Sequence, residues 1–232
     1  MGGKDTVLDF FDFWRKTWND EDERKNFYVD DDPQSTNGWK SWDYCYASFQ
    51  EARGKSNVDY DSLCLHLTAY LASWGMYRGS SFQSKFNYKI HKDAVRIVLE
   101  EKYKCLDGIA LRDLNDEKVG LIGELYGRIE KAYGDNTPTD TLVTKIMLGT
   151  TACLPAYDTY FKRALGALNI KNNLAVRPEN RIKAIKEFAA FCAGSNVLEN
   201  DDIMPVTEYY KEKGHPDMKI LDLYFVTWGQ PA

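Results

Sequence analysis

Apolar residues in this chain recur at helical rather than alternating spacing almost throughout, and that period commits it to a core built from helices. In DFFDFWRKTW, Phe10, Trp14 and Trp18 fall four apart and form one aromatic stripe. SLCLHLTAYLASWGMYRG sets Leu63, Leu67, Tyr70, Leu71 and Trp74 on a common face, with Asp61 or Ser62 available as N-cap and Gly75 and Gly79 where the helix weakens and ends. A helix over about residues 90–104 turns Ile90, Ala94, Ile97 and Val98 inward, and one beginning near Asp116 gives Val119, Ile122, Leu125, Tyr126 and Ile129 an apolar face. No stretch alternates long enough to make a strand. The expected fold class is therefore all-α, a compact multi-helix globular domain.

The connections follow the same logic. SWDYCYASFQEARG is expected to be helical up to Gly54, after the acidic, turn-rich DEDERKNFYVDDDPQSTNG. From Pro138 onward the pattern is helix, tight loop, helix. Thr141 is placed to cap LVTKIML, Gly149 and Pro155 interrupt the helix within GTTACLP, and Asp158 is placed to cap TYFKRALGAL, with Phe161, Ala164, Leu165 and Leu168 buried. Pro178 suits the first helical position of PENRIKAIKEFAAFC, whose inward residues are expected to be Ile182, Ile185, Ala189 and Cys192. DMKILDLYFVTW opens after Pro216 and is apolar enough to lie at the centre of the core. At 232 residues a single domain is the expected arrangement. The alternative is a division into helical parts at 1–134 and 135–232.

Composition removes several function classes. No apolar run approaches the roughly 20 residues that span a bilayer, so no membrane association is expected. The opening MGGKDTVLDFFDFW lacks the basic flank, apolar stretch and small-residue site of a secretory signal, which points to the cytoplasm. Cys45, Cys64, Cys105, Cys153 and Cys192 are widely spaced and read as reduced core residues. The histidines His66, His91 and His215 stand apart from one another and from the cysteines, so neither a metal site nor a cofactor is expected. Phosphate-loop, dinucleotide, zinc-protease and serine-hydrolase motifs are all absent. The net charge of −5 opposes broad attraction to polyphosphate. Its distribution is uneven, however. Residues 1–32 carry ten acids against five basic residues, whereas residues 162–186 carry seven Lys and Arg against Glu179 alone.

The stretch TLVTKIMLGTTACLPAYDTYFKRAL, residues 141–165, combines a helix, a proline-closed loop and an aspartate that opens the next helix. It resembles the segment of the helix-hairpin-helix DNA glycosylase superfamily that carries the catalytic aspartate, where a proline lies three residues earlier and a basic, apolar helix follows. The closing MKILDLYFVTWG is similar to the last helix of uncharacterised bacterial relatives of that superfamily, so the likeness spans about residues 135–229. It implies a glycosylase-like fold that engages DNA, with Asp158 as the catalytic carboxylate. Cleaving an N-glycosidic bond builds positive charge on the sugar, which a carboxylate stabilises while it positions water. The family's glycine-rich hairpin is replaced here by YGDNTPTDT, and its lyase lysine by the region of Thr139 and Asp140. The resemblance thus implies a monofunctional enzyme without that phosphate anchor.

Around Asp158 the same reading assigns Trp74, Tyr77, Arg78, Lys145 and Tyr157 to a substrate pocket, and Lys162, Arg163, Arg177, Arg181 and Lys183 to phosphate contacts. Each assignment has a plainer counterpart. Aspartate is among the commonest N-caps and contributes about 1 kcal/mol in that role alone. Trp74 and Tyr77 fit a helix end packed on the core, and Arg78 suits the C-terminal dipole. Lys145 lies off the apolar stripe of its helix, as an exposed lysine does, and the basic run fits solvated helix faces. A competing function is a non-catalytic helical module that binds a protein partner through its aromatic-rich N-terminal half.

Overall fold

Capping chemistry decides where the helices begin. The computed structural model describes residues 3–25, 40–170 and 178–231. Within them run α1 (Gly3–Asn19), α2 (Glu21–Lys25), α3 (Lys40–Ala52), α4 (Tyr60–Ser73), α5 (Lys92–Val98), α6 (Asp116–Lys131), α7 (Asp140–Thr150), α8 (Thr159–Ala167), α9 (Pro178–Gly194), α10 (Met204–Glu212) and α11 (Asp217–Trp228). No strand occurs among the described residues, and the fold is all-α. Asp158 caps α8 and Pro178 opens α9.

Two other caps fall two or more residues before the expected ones. Asp59, not Asp61 or Ser62, caps α4 by accepting from the Ser62 N–H at 3.0 Å. Thr139, not Thr141, caps α7, because its backbone is extended while its hydroxyl oxygen accepts from the Leu142 N–H at 3.2 Å. Thr141 is already inside the helix and donates to the Tyr157 carbonyl at 3.0 Å. The expected single helix over 90–104 is also broken. Glu100 turns extended, so α5 stops at Val98 and a short 3-10 segment, Glu101–Leu106, buries Tyr103 and Leu106 instead.

α11 is the central element, with every residue from Met218 to Val226 buried. The N-terminal α1 lies against it. Phe10 meets Phe225 with ring centroids 5.2 Å apart, and Trp14 meets Tyr224 at 4.8 Å. Trp42 of α3 likewise reaches across to α7, its indole N–H donating to the Leu148 carbonyl at 2.9 Å. One cluster of buried residues therefore runs from Phe10 to Val226, across the 134/135 position. Cys45, Cys64, Cys153 and Cys192 are buried free thiols. Cys105 is exposed, contrary to expectation, because the 3-10 turn that holds it buries Tyr103 and Leu106. No described helix is long and apolar enough to cross a membrane.

Burial also creates a titrating group. His91 is fully buried, with Nε2 2.7 Å from the Tyr77 hydroxyl and Nδ1 2.7 Å from the Tyr133 hydroxyl. A neutral ring satisfies both contacts, since one nitrogen donates and the other accepts. Loss of hydration pushes the imidazole down to about 4 from its usual 6.5. The unfolded chain thus takes up a proton below about pH 6.5 that the folded chain refuses, and stability is lost as pH falls from there towards about 4. His91→Gln is expected to flatten the melting temperature over that range, removing a slope worth roughly 3 kcal/mol. Parallel pH profiles for variant and parent would refute the assignment.

Candidate functional site

The site is assembled where α7, the loop after it and the start of α8 meet α4 and α11. Thr144 fixes the loop: its hydroxyl donates to the Asp140 carbonyl at 2.7 Å and accepts from the Tyr157 N–H at 2.8 Å. The next residue, Asp158, is thereby held at the head of α8. Its Oδ1 accepts from the Tyr160 and Phe161 N–H groups, each at 3.0 Å. Its Oδ2 faces Lys145 Nζ at 3.5 Å, with the aspartate side chain 16% exposed and the lysine 5%. Lys145 is not the exposed lysine that its position relative to Leu142 and Ile146 suggests. α7 is enclosed by α3, α4 and α6, so every residue from Leu142 to Thr150 is buried and the helix has no solvent face.

Trp74 lies over this pair. The Lys145 ammonium is 4.8 Å from its ring centroid, and that of Lys219 is 5.5 Å away. The ring therefore meets two cations instead of standing free as a stacking surface. Lys219 is also 5.2 Å from the Trp42 ring and pairs with Asp222 at 3.7 Å. Asp222 Oδ1 in turn accepts from the Ala156 N–H at 2.9 Å, two residues before Asp158. Loss of hydration lowers the Lys219 pKa and raises that of Asp222, partly offset in each case by the partner's charge. Sequence reasoning missed Lys219 and Asp222. The signal was a lysine and an aspartate three apart, KILD, inside an otherwise apolar helix, a placement that burial tolerates only when the charges are paired.

The remaining assigned residues do not gather here. Tyr157 is fully buried, its ring 4.9 Å from Phe161 and its hydroxyl without a hydrogen-bond partner, so it belongs to the core and not to an open pocket. Tyr77 turns to His91. Arg78 is exposed and lines a separate cavity with Gly75 and Ser81. Three of the described residues of the basic run pair with acids. Lys162 pairs with Asp140 at 3.2 Å, and Lys186 with Asp116 at 2.7 Å. Arg181 is 4% exposed, lies 3.7 Å from the Tyr126 ring centroid and pairs with Glu130 at 3.5 Å, so it is not available to phosphate. α9 packs on α6, and a guanidinium on that face is enclosed. Arg163 and Lys183 are exposed, although Arg163 donates to the Gly229 carbonyl at 3.1 Å. Arg177 lies outside the described residues.

No family model, curated protein or solved structure matches the chain. One carboxylate oxygen of Asp158 is committed to helix amides and the other to a buried ammonium, in a side chain that keeps an edge in solvent. Such a group is fixed in orientation before any ligand arrives, which suits it to stabilising positive charge or holding a water molecule. The same contacts also serve as a cap and a buried ion pair.

Proposed function

We propose that the protein engages DNA and senses or excises a modified base, with Asp158 as the carboxylate that stabilises positive charge on the sugar. The observation that supports this reading is the Lys145–Asp158 pair under Trp74, which orients a partly exposed carboxylate at the head of a helix. As the bond to the base breaks, the carboxylate faces the electron-poor sugar carbon and directs water to it. Hydrolysis in this form needs no covalent lysine adduct, in keeping with a monofunctional enzyme.

Asp158→Asn is expected to reduce release of modified bases from an oligonucleotide library by at least ~100-fold. Asparagine caps a helix about as well as aspartate, so α8 is expected to persist, as circular dichroism would report. Unchanged product formation would reject the catalytic role.

The pairing of Lys162, Arg181 and Lys186 with acids favours a second reading, a helical module that binds a protein partner. Fluorescence anisotropy with labelled DNA across salt concentrations separates the two. With Arg163 and Lys183 as the exposed described residues of the run that pair with no acid, DNA binding should weaken with salt at a slope of about −2 on logarithmic axes. Absence of binding at low salt would favour the protein partner.

A further inference from the structure

Beside α7, but apart from Asp158, lies a cavity of about 460 Å³ walled by the 75–83 turn and by residues 136–142. Its size falls within the range of small-ligand sites. Arg78 is the one charged residue in the described wall. Among the described residues no hydrogen bond or ion pair engages its guanidinium, whose Nε and Cζ lie against Gly75. Gly75 has φ +75°, and a Cβ there would come within 3.1 Å of Arg78 Nε, so the turn both requires glycine and leaves room for the arginine.

Two further features point to a ligand. Gln83 lines the cavity, is 3% exposed, and has a buried amide nitrogen without a hydrogen-bond partner. Its amide oxygen meets the Ser81 hydroxyl, whose single proton also has the Met76 carbonyl as an acceptor at 2.7 Å. Turning the amide over would put an oxygen in the open position, so either way one buried polar atom lacks a partner in the protein. Burying such an atom is unfavourable unless something binds it. The wall also holds Ser80, Thr137 and Thr139, the last at the head of α7, where its hydroxyl already accepts from the Leu142 N–H. Phe82 and Met76 supply an apolar flank, and Phe82 is braced edge-on by Tyr133 with centroids 5.5 Å apart.

We propose that this cavity binds a nucleoside monophosphate unit, with Arg78 on the phosphate, Phe82 and Met76 against the base, and Gln83 hydrogen-bonding to the base edge. An amide both donates and accepts, as base edges do, and a lone arginine without a competing acid suits a single phosphate. The unit can come from a free mononucleotide or from a single strand. The inference rests on the cavity alone and does not depend on the role of Asp158.

Calorimetric titration of the full chain with deoxyadenosine monophosphate, deoxyadenosine, inorganic phosphate and a five-nucleotide single strand tests it. The monophosphate is expected to bind saturably, about 10-fold or more tighter than either the nucleoside or phosphate, as one charge-assisted contact implies. Arg78→Gln and Gln83→Leu should each weaken it several-fold at unchanged melting temperature, while Asp158→Asn leaves it unaltered. A strand that binds more tightly than the monophosphate, with the same dependence on Arg78, identifies the strand as the source; the reverse order identifies the free nucleotide. The proposal is overturned by failure of the monophosphate to bind, by phosphate binding equally well, or by an Arg78→Gln variant of parental affinity. Loss of base excision in Asp158→Asn with monophosphate binding retained would show that the two sites stand independently.

Discussion

Asp222→Ala is expected to destabilise the protein by about 3–5 kcal/mol, a drop of roughly 10 °C in melting temperature for a chain of this size. The substitution removes two things at once. Lys219, which is 2% exposed, loses the carboxylate 3.7 Å away, and the buried Ala156 N–H loses its acceptor. Two tryptophan rings remain near the ammonium, but they do not replace a full negative charge. Replacing both charges, Lys219→Met with Asp222→Leu, should recover about half of the loss. An apolar pair of similar volume needs no counter-ion, although the Ala156 amide stays orphaned at a cost of about 1–3 kcal/mol. Urea denaturation followed by circular dichroism measures all three proteins. The account fails if Asp222→Ala unfolds within 1 kcal/mol of the parent, or if the double variant is no better than the single one.

Gly149→Ala sets helix propensity against packing. Within a helix, alanine is favoured over glycine by about 1 kcal/mol. Here an added Cβ would lie 2.5 Å from Tyr70 Cε1 and 2.7 Å from Cδ1, and Tyr70 is itself 1% exposed and hemmed in by the core. Packing is expected to win, with a net loss of about 2 kcal/mol as α4 and α7 are pushed apart. The discriminating measurement is a double-mutant cycle. If the clash with Tyr70 is the cause, Gly149→Ala should cost at least 1 kcal/mol less in a Tyr70→Leu background. A Gly149→Ala variant more stable than the parent would show that the ring moves aside.

Both predictions concern residues that the sequence made only partly visible. The period of Val119, Ile122, Leu125, Tyr126 and Ile129 was enough to give α6, and the apolar run after Pro216 was enough to put α11 at the centre. Asp158 was legible as a cap because a short acidic side chain before an amphipathic run has one favourable local role. Lys145 was not legible. A helical wheel assumes one wet face, but α3, α4 and α6 enclose α7 and leave none, so the lysine is closed in beside Asp158 under Trp74. The same limit applies to the basic run: spacing along a chain records charge but not the acids that Asp140, Glu130 and Asp116 bring from other elements.

What this sequence determined by itself is what acts over a few residues: helical period, caps, and the absence of alternation, since backbone hydrogen bonding and side-chain direction repeat within a single turn. Tertiary structure alone decided which charges face one another. Lys145 with Asp158, Arg181 with Glu130, and Arg78 left alone at a cavity wall are products of helix packing. The reason is physical: the energy of a charge depends on every group within a few ångströms and on the water excluded from around it, and neither is written in the neighbouring residues.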